Sequence, residues 1–270
     1  MSLPQPDVLE GRKDRNRERM LALARFCAVL LSVPAVCLGI LVGFLLKSPL
    51  LGGLVMLILA GGLAAWMFTS MRGFSQHFLG QLAPVRADET DQARLYNLVD
   101  GLCVANGITE PQLFVVDDPG LNAAAVMVAG GESQQAALVV TSGLLATLSR
   151  IELEGMLAQQ LGHVRDGDTA LATFAASLIV LPVVGSLLAP RVASTLDPEL
   201  EAWADLAAVR MTRYPPGLAG ALDRLDAGST VVAKATPETA HLWIANPLGG
   251  DEPYNAHAPL ADRVAVLREL

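Results

Sequence analysis

Cysteine is scarce in this chain, and the few present stand in the wrong places for cross-linking. Cys27 and Cys37 fall in one apolar run, Cys103 falls in a helical pattern, and no CxxC occurs. An odd count so placed excludes a disulfide framework and a cysteine-based zinc site, and suits a cytoplasmic domain. Basic residues are also in short supply, 19 Lys and Arg against 27 Asp and Glu, for a net charge of -8. The basic residues concentrate in GRKDRNRERM at residues 11–20, while the remainder is acidic, which argues against nucleic acid as a partner. There is no internal repeat and no low-complexity segment.

Apolar length is abundant. The mean hydropathy of +0.44 is high for a soluble domain. Met20–Leu46 carries one charge, Arg25, near its start, and Leu50–Met71 carries none. Each run exceeds the roughly 20 apolar residues that cross about 30 Å of hydrocarbon as a helix. Pro34 and the interior glycines are tolerated in membrane helices. Lys47-Ser48-Pro49 is a tight polar turn, so residues 20–71 are expected to form a transmembrane helical hairpin. The first run is too long for a signal h-region, and no small-residue cleavage site separates the two. Arg and Lys flank the outer ends of the hairpin, which places both ends in the cytoplasm by the positive-inside rule. The expected organisation is a basic cytoplasmic segment at 1–19, the hairpin at 20–71, and a cytoplasmic domain at 72–270.

Within that domain, Phe74–Arg86 reads as a connector and Asp88–Asn106 as a helix ended by Gly107. Gln112–Val116, Ala123–Val128 and Ala136–Thr141 are short β-like runs closed by Asp, Pro and Gly turns, which predicts a small antiparallel or mixed sheet. Ser149-Arg150-Ile151-Glu152 is a capping-box match opening a helix that runs to about Asp168. Asp197-Pro198-Glu199 starts another, Glu199–Tyr214, stopped by Pro215-Pro216. Gly217–Ala227 and Pro259–Leu270 are further helices.

The stretch EGMLAQQLGHVRDGD, residues 154–168, raises the question of activity. A helical HExxH motif sets two histidines one turn apart, where both reach one zinc ion, and the Glu beside the first deprotonates the metal-bound water. In this register the chain has Gln159, Gln160 and His163. The surroundings nonetheless follow a known order: the apolar hairpin, VVDDPGLNAAAVMV, ALVVTSGLL, IELEGMLAQQLGHVRDGD, ELEAWADLAA, AHLWIANPL and AHAPLADRVAVLREL. Together these resemble the HtpX-type membrane zinc metallopeptidases over most of residues 20–270.

The resemblance implies a mainly helical, zincin-like α+β domain with a small sheet behind the membrane hairpin. It places the first histidine ligand on Gln159 and the catalytic glutamate on Gln160, both mismatches. The second histidine ligand falls on His163 and the third ligand on Glu201, with Asp205 as the supporting acid of Glu201-Ala202-Trp203-Ala204-Asp205. His257-Ala258-Pro259 is a partial match to a C-terminal signature. A glutamine amide is a poor zinc ligand, and Gln160 has no titratable proton with which to act as a base. The expectation is therefore a vestigial site that holds no zinc, with Glu201 satisfied by Gln159, His163 or Arg165, or partly exposed. The resemblance also implies an edge strand that takes extended peptide by β-augmentation, at Asn122, Ala123 and Ala124 in the run Asn122–Val128. If Thr169–Pro190 crossed a membrane once, His163 and Glu201 would lie on opposite sides. The segment is therefore expected to bend back at Leu181–Gly185 as a shallow hydrophobic hairpin or to pack within the domain. The function expected is that of an inactive, membrane-anchored homologue in the inner membrane, binding other membrane proteins or serving a membrane complex. The alternative is a zinc endopeptidase acting on membrane proteins.

Overall fold

The computed structural model describes residues 11–130, 133–181, 184–195, 199–250 and 257–270. Helices α1 (Arg12–Leu45) and α2 (Pro49–Leu82) form a hairpin. The turn takes the left-handed conformation at Lys47, and Ser48 caps α2 by accepting from the Leu51 N–H, with Pro49 in the first turn. A methyl group added at Gly52 would lie 2.5 Å from the Gly39 carbonyl oxygen, so the two backbones meet directly beside the turn. Arg12–Leu45 and Pro49–Trp66 are, by length and composition, long and apolar enough to cross a bilayer. Within the most apolar 18-residue window of each, 12% and 6% is buried by the rest of the described chain.

Both helices extend beyond the apolar runs. α1 begins at Arg12, within the expected basic segment, because Arg12 and Asn16 share a face and are buried there. α2 continues through the expected connector to Leu82, because Phe74, Phe78 and Leu82 form a helical stripe that packs inside the domain.

The sheet comprises β1 (Val85–Arg86), β2 (Gln112–Val116), β3 (Ala123–Gly130) and β4 (Ser133–Thr141) in the order β1-β2-β4-β3. It is mixed: β2 runs parallel to β4, and the other pairs are antiparallel. Alternate residues serve two cores. Ala123, Ala125, Leu138 and Val140 face α3 (Ala93–Asn106), α5 (Arg150–Asp166), α9 (Pro215–Ala227) and α10 (Leu260–Arg268). Ala124, Val126, Ala137 and Val139 face the end of α2 and Trp243. Burial on both faces explains why these strands are continuous apolar runs and not alternating ones.

After β4 come the short α4 (Ser142–Thr147) and then α5, which opens with the Ser149–Glu152 capping box. α5 ends at Gly167, left-handed at φ 80°, and α6 (Asp168–Ile179) begins at once. α6 and α7 (Val184–Ala193) are two arms around a bend, and Leu178, Ile179, Leu181, Leu188 and Val192 pack against Leu23 and Cys27 of α1. α8 (Glu199–Thr212) follows; Asp197 and Pro198, expected to start it, lie outside the described residues. A 3-10 helix, Pro237–Leu242, precedes Trp243.

Candidate functional site: a closed ion-pair centre

α5 and α8 pack side by side and bring the expected residues together. On α5, Gln159 and His163 share a face one turn apart; on α8, Glu201 and Asp205 do the same. Gln159 donates from Nε2 to Glu201 Oε2 at 3.0 Å, and Gln160 donates from Nε2 to Gln159 Oε1 at 2.8 Å. His163 Nε2 lies 3.7 Å from Glu201 Oε1. Glu201 thus has Gln159 and His163 as expected, whereas Arg165 turns aside to Asp166 at 2.7 Å.

Four residues not anticipated from the sequence, Arg263, Asp168, Arg12 and Asn16, complete the centre. Arg263 of α10 is 1% exposed; its Nη1 lies 3.0 Å from Glu201 Oε2 and its Nη2 lies 2.6 Å from Asp205 Oδ1. Asp168, the first residue of α6, accepts from both Arg12 and Asn16 of α1, the former at 2.6 Å to each oxygen. Its Oδ2 also lies 3.0 Å from His163 Nδ1. Arg12 in turn lies over the Trp203 ring, 5.2 Å from its centroid. Only the apolar context of Arg263 in PLADRVAVL hinted at burial. Arg12 carried no signal, because a basic residue before a membrane run is ordinarily a topology determinant.

The charges set the protonation states. Burial disfavours a charged His163, but hydrogen bonds and attraction from Asp168 and Glu201 prevail and hold its pKa up to about 9. Burial likewise opposes ionisation of Glu201, yet Arg263, and then His163, pull it down to about 2. For Asp205 burial wins over Arg263, and its pKa is raised. One contact pulls the other way: Gln159 Nε2, a donor, lies 3.0 Å from His163 Nε2, which suits a neutral ring. Full carboxylate charges in a water-poor site outweigh one amide dipole, which favours the charged ring.

The remaining expected residues have structural duties. Asn122 donates to the Thr230 and Ala245 carbonyls at 2.8 and 2.9 Å. β3 is the outer strand, but its outer edge is not open at Ala123 and Ala124. Ala124 bridges Trp243, and Ile244 donates to the Ala123 carbonyl at 2.8 Å. Further along, Met127 donates to Thr173 Oγ1 at 2.9 Å and accepts from Ser75. The expected β-augmentation site is thus filled by the chain's own backbone, which satisfies groups that a bare edge would leave unpaired. His241 and His257 lie against the Ala172 and Trp243 carbonyls at 3.0 and 2.7 Å.

A zinc ion does not fit this set of residues. Two side chains of the expected triad, His163 and Glu201, can donate, and Arg263 already sits on Glu201. Among the described residues no three His, Cys, Asp or Glu side chains are arranged to hold a metal.

The profile of peptidase family M48 matches residues 89–270. A protease HtpX homolog of Dictyoglomus thermophilum is 34% identical over 209 residues, covering 64% of this chain and 68% of that protein. One from Tropheryma whipplei is 30% identical over 258 residues, 80% and 85% of the two chains. One from Streptococcus pneumoniae is 27% identical over 278 residues, 86% and 91%. No solved structure matches. A helix-borne His163 facing an acid pair on α8, within a chain so matched, places this protein in peptidase family M48 as an HtpX-type member.

Proposed function

We propose that this protein is a membrane-anchored pseudopeptidase: an HtpX-type fold that binds but does not cut, acting as a binding, regulatory or structural subunit of a membrane protein complex. The observation that carries this reading is Gln160, which stands where the chemistry needs a base and has no titratable proton. Gln159 supports it by spending its amide nitrogen on Glu201. The chain is anchored in the inner membrane by α1 and the first half of α2, with the bulk of its mass in the cytoplasm. Small residues along the hairpin suit helix contacts with other membrane proteins.

The test is metal content together with cleavage of casein or a membrane-protein substrate, on full-length protein in detergent. The expected result is no stoichiometric zinc and no chelator-sensitive cleavage; finding both would overturn the reading in favour of a zinc endopeptidase. The double substitution Gln159→His with Gln160→Glu is expected to restore zinc binding.

A further inference from the structure

Among the buried polar atoms with no hydrogen-bond partner in the protein are Gln160 Oε1, Thr169 Oγ1 and, from a residue lining the same cavity, the Trp243 indole Nε1. The first two form an acceptor and a hydroxyl on adjoining helices. Gln160 and Thr169 are each 3% exposed. Both line the cavity, of about 40 Å³, beside His163, Glu201, Ala125 and Trp243.

The open acceptor is a consequence of Glu201. An ionised carboxylate only accepts, so Gln159 must turn its nitrogen toward it, at 3.0 Å. The Gln159 oxygen then takes the Gln160 nitrogen at 2.8 Å, and the Gln160 oxygen is left over. Reversing either amide would set like against like. The hydroxyl is open for a different reason. A helical threonine commonly returns its hydroxyl to the carbonyl four residues back, as Thr173 does to Thr169 at 2.7 Å. Thr169 makes no such bond and presents its oxygen to the cavity.

We propose that this cavity binds one neutral carboxamide, whose N–H donates to Gln160 Oε1 and whose carbonyl accepts from the Thr169 hydroxyl. The assignment rests on the non-cleaving reading above. A neutral ligand fits because the charges around the cavity are already matched: His163, Arg263 and Arg12 against Glu201, Asp205 and Asp168. A further charge would be buried without a counterpart. A carbon-bearing group fits because Ala172, Leu200 and Leu242 also line the space. At about 10–15 Å³ for each water-sized centre, the volume takes roughly three, the extent of one amide group. It does not take a paired strand, because β3 is tied to the chain at Ala123 and again at Met127, leaving Ala125 between them at the cavity. The carboxamide comes either from an Asn or Gln side chain or from a single backbone peptide unit.

The experiment titrates the full chain in detergent, with its side-chain amides labelled with nitrogen-15, against two capped peptides, acetyl-Ala-Ala-Gln-Ala-Ala-N-methylamide and the same peptide with Leu for Gln. Binding is expected to shift the Gln160 side-chain amide. A shift with the Gln peptide alone assigns the side-chain source; equal shifts with both assign the backbone source. Gln160→Leu and, separately, Thr169→Val are each expected to weaken binding by about tenfold, as for loss of one hydrogen bond to a buried group. The two variants report on different elements, so misfolding of one leaves the other. No shift with either peptide, unchanged affinity in a folded variant, or ordered water alone filling the cavity at saturating peptide would overturn the proposal. Zinc content and peptide integrity are read on the same sample. Stoichiometric zinc with cleaved peptide defeats the pseudopeptidase reading, whereas zinc-free protein and intact peptide without binding defeats only the carboxamide.

Discussion

Arg263 is the residue on which the centre turns. It holds two buried acids at once, and removing one partner of a buried pair leaves an uncompensated charge. Arg263→Ala is expected to destabilise the fold by about 3–5 kcal/mol, read as a lowered denaturant midpoint; Arg263→Lys, which keeps charge but loses the fork, should fall between. His163 and Glu201 define a pH window. The folded pKa of His163, about 9, lies above its ordinary 6.5, so its stabilisation is complete below pH 6.5 and is lost between 6.5 and 9. The whole shift is worth about 3 kcal/mol. The folded pKa of Glu201, about 2, lies below its ordinary 4.5, so its contribution is present above 4.5 and lost as pH falls toward 2. Unfolding midpoints across pH 6–10 should decline for the natural protein and not for His163→Gln. A flat profile for both would mean that the Gln159 amide keeps the ring neutral. The placement of His163, Glu201 and Asp205 was legible through the resemblance to the HtpX-type family, while helical spacing fixed only who shares a face within each helix. Arg263 was not, since its partners lie on another helix and spacing says nothing about long-range pairing.

At the scale of elements, α5 is held by its ends and by a glycine. Its capping box and its Gly167 stop were readable from local chemistry alone. Gly155 was not: a methyl there would meet the Leu218 nitrogen at 2.5 Å, so α5 and α9 touch backbone to backbone. Gly155→Ala should cost about 1–3 kcal/mol. Gly101→Ala, in the middle of α3 with nothing near its Cα, should gain about 0.5–1 kcal/mol. Thermal unfolding of the two variants side by side checks both signs. The strands were found because β-branched runs between turn residues are local signals, whereas the two-residue β1 depends on pairing with β2 across an intervening helix, and the tying of β3 depends on Trp243 and Ile244, which lie far along the chain.

For the molecule as a whole, the change of composition at residue 20 does not coincide with a change of backbone. Apolar composition starts there, but the helix does not, and its first turns belong to the ion-pair centre. Arg12→Gln removes the double contact to Asp168 without touching the apolar span. Faster hydrogen exchange around the Gly167 turn is expected, with Leu23 and Cys27 still packed on α6; unchanged exchange would show that Arg12 is a passenger.

The continuity of α1 has a mechanical consequence. From Arg12 to Val33 the helix is about 33 Å long, so a tilt of about 10° pivoting near Pro34 carries Arg12 through roughly 6 Å. The contact it would break spans 2.6 Å. A membrane helix longer than the local hydrocarbon accommodates part of the mismatch by tilting, so with α1 embedded as proposed, a change in bilayer thickness would load the Arg12 contact to Asp168, the residue beside His163. Embedded in that way, the anchor would also be a lever on the centre.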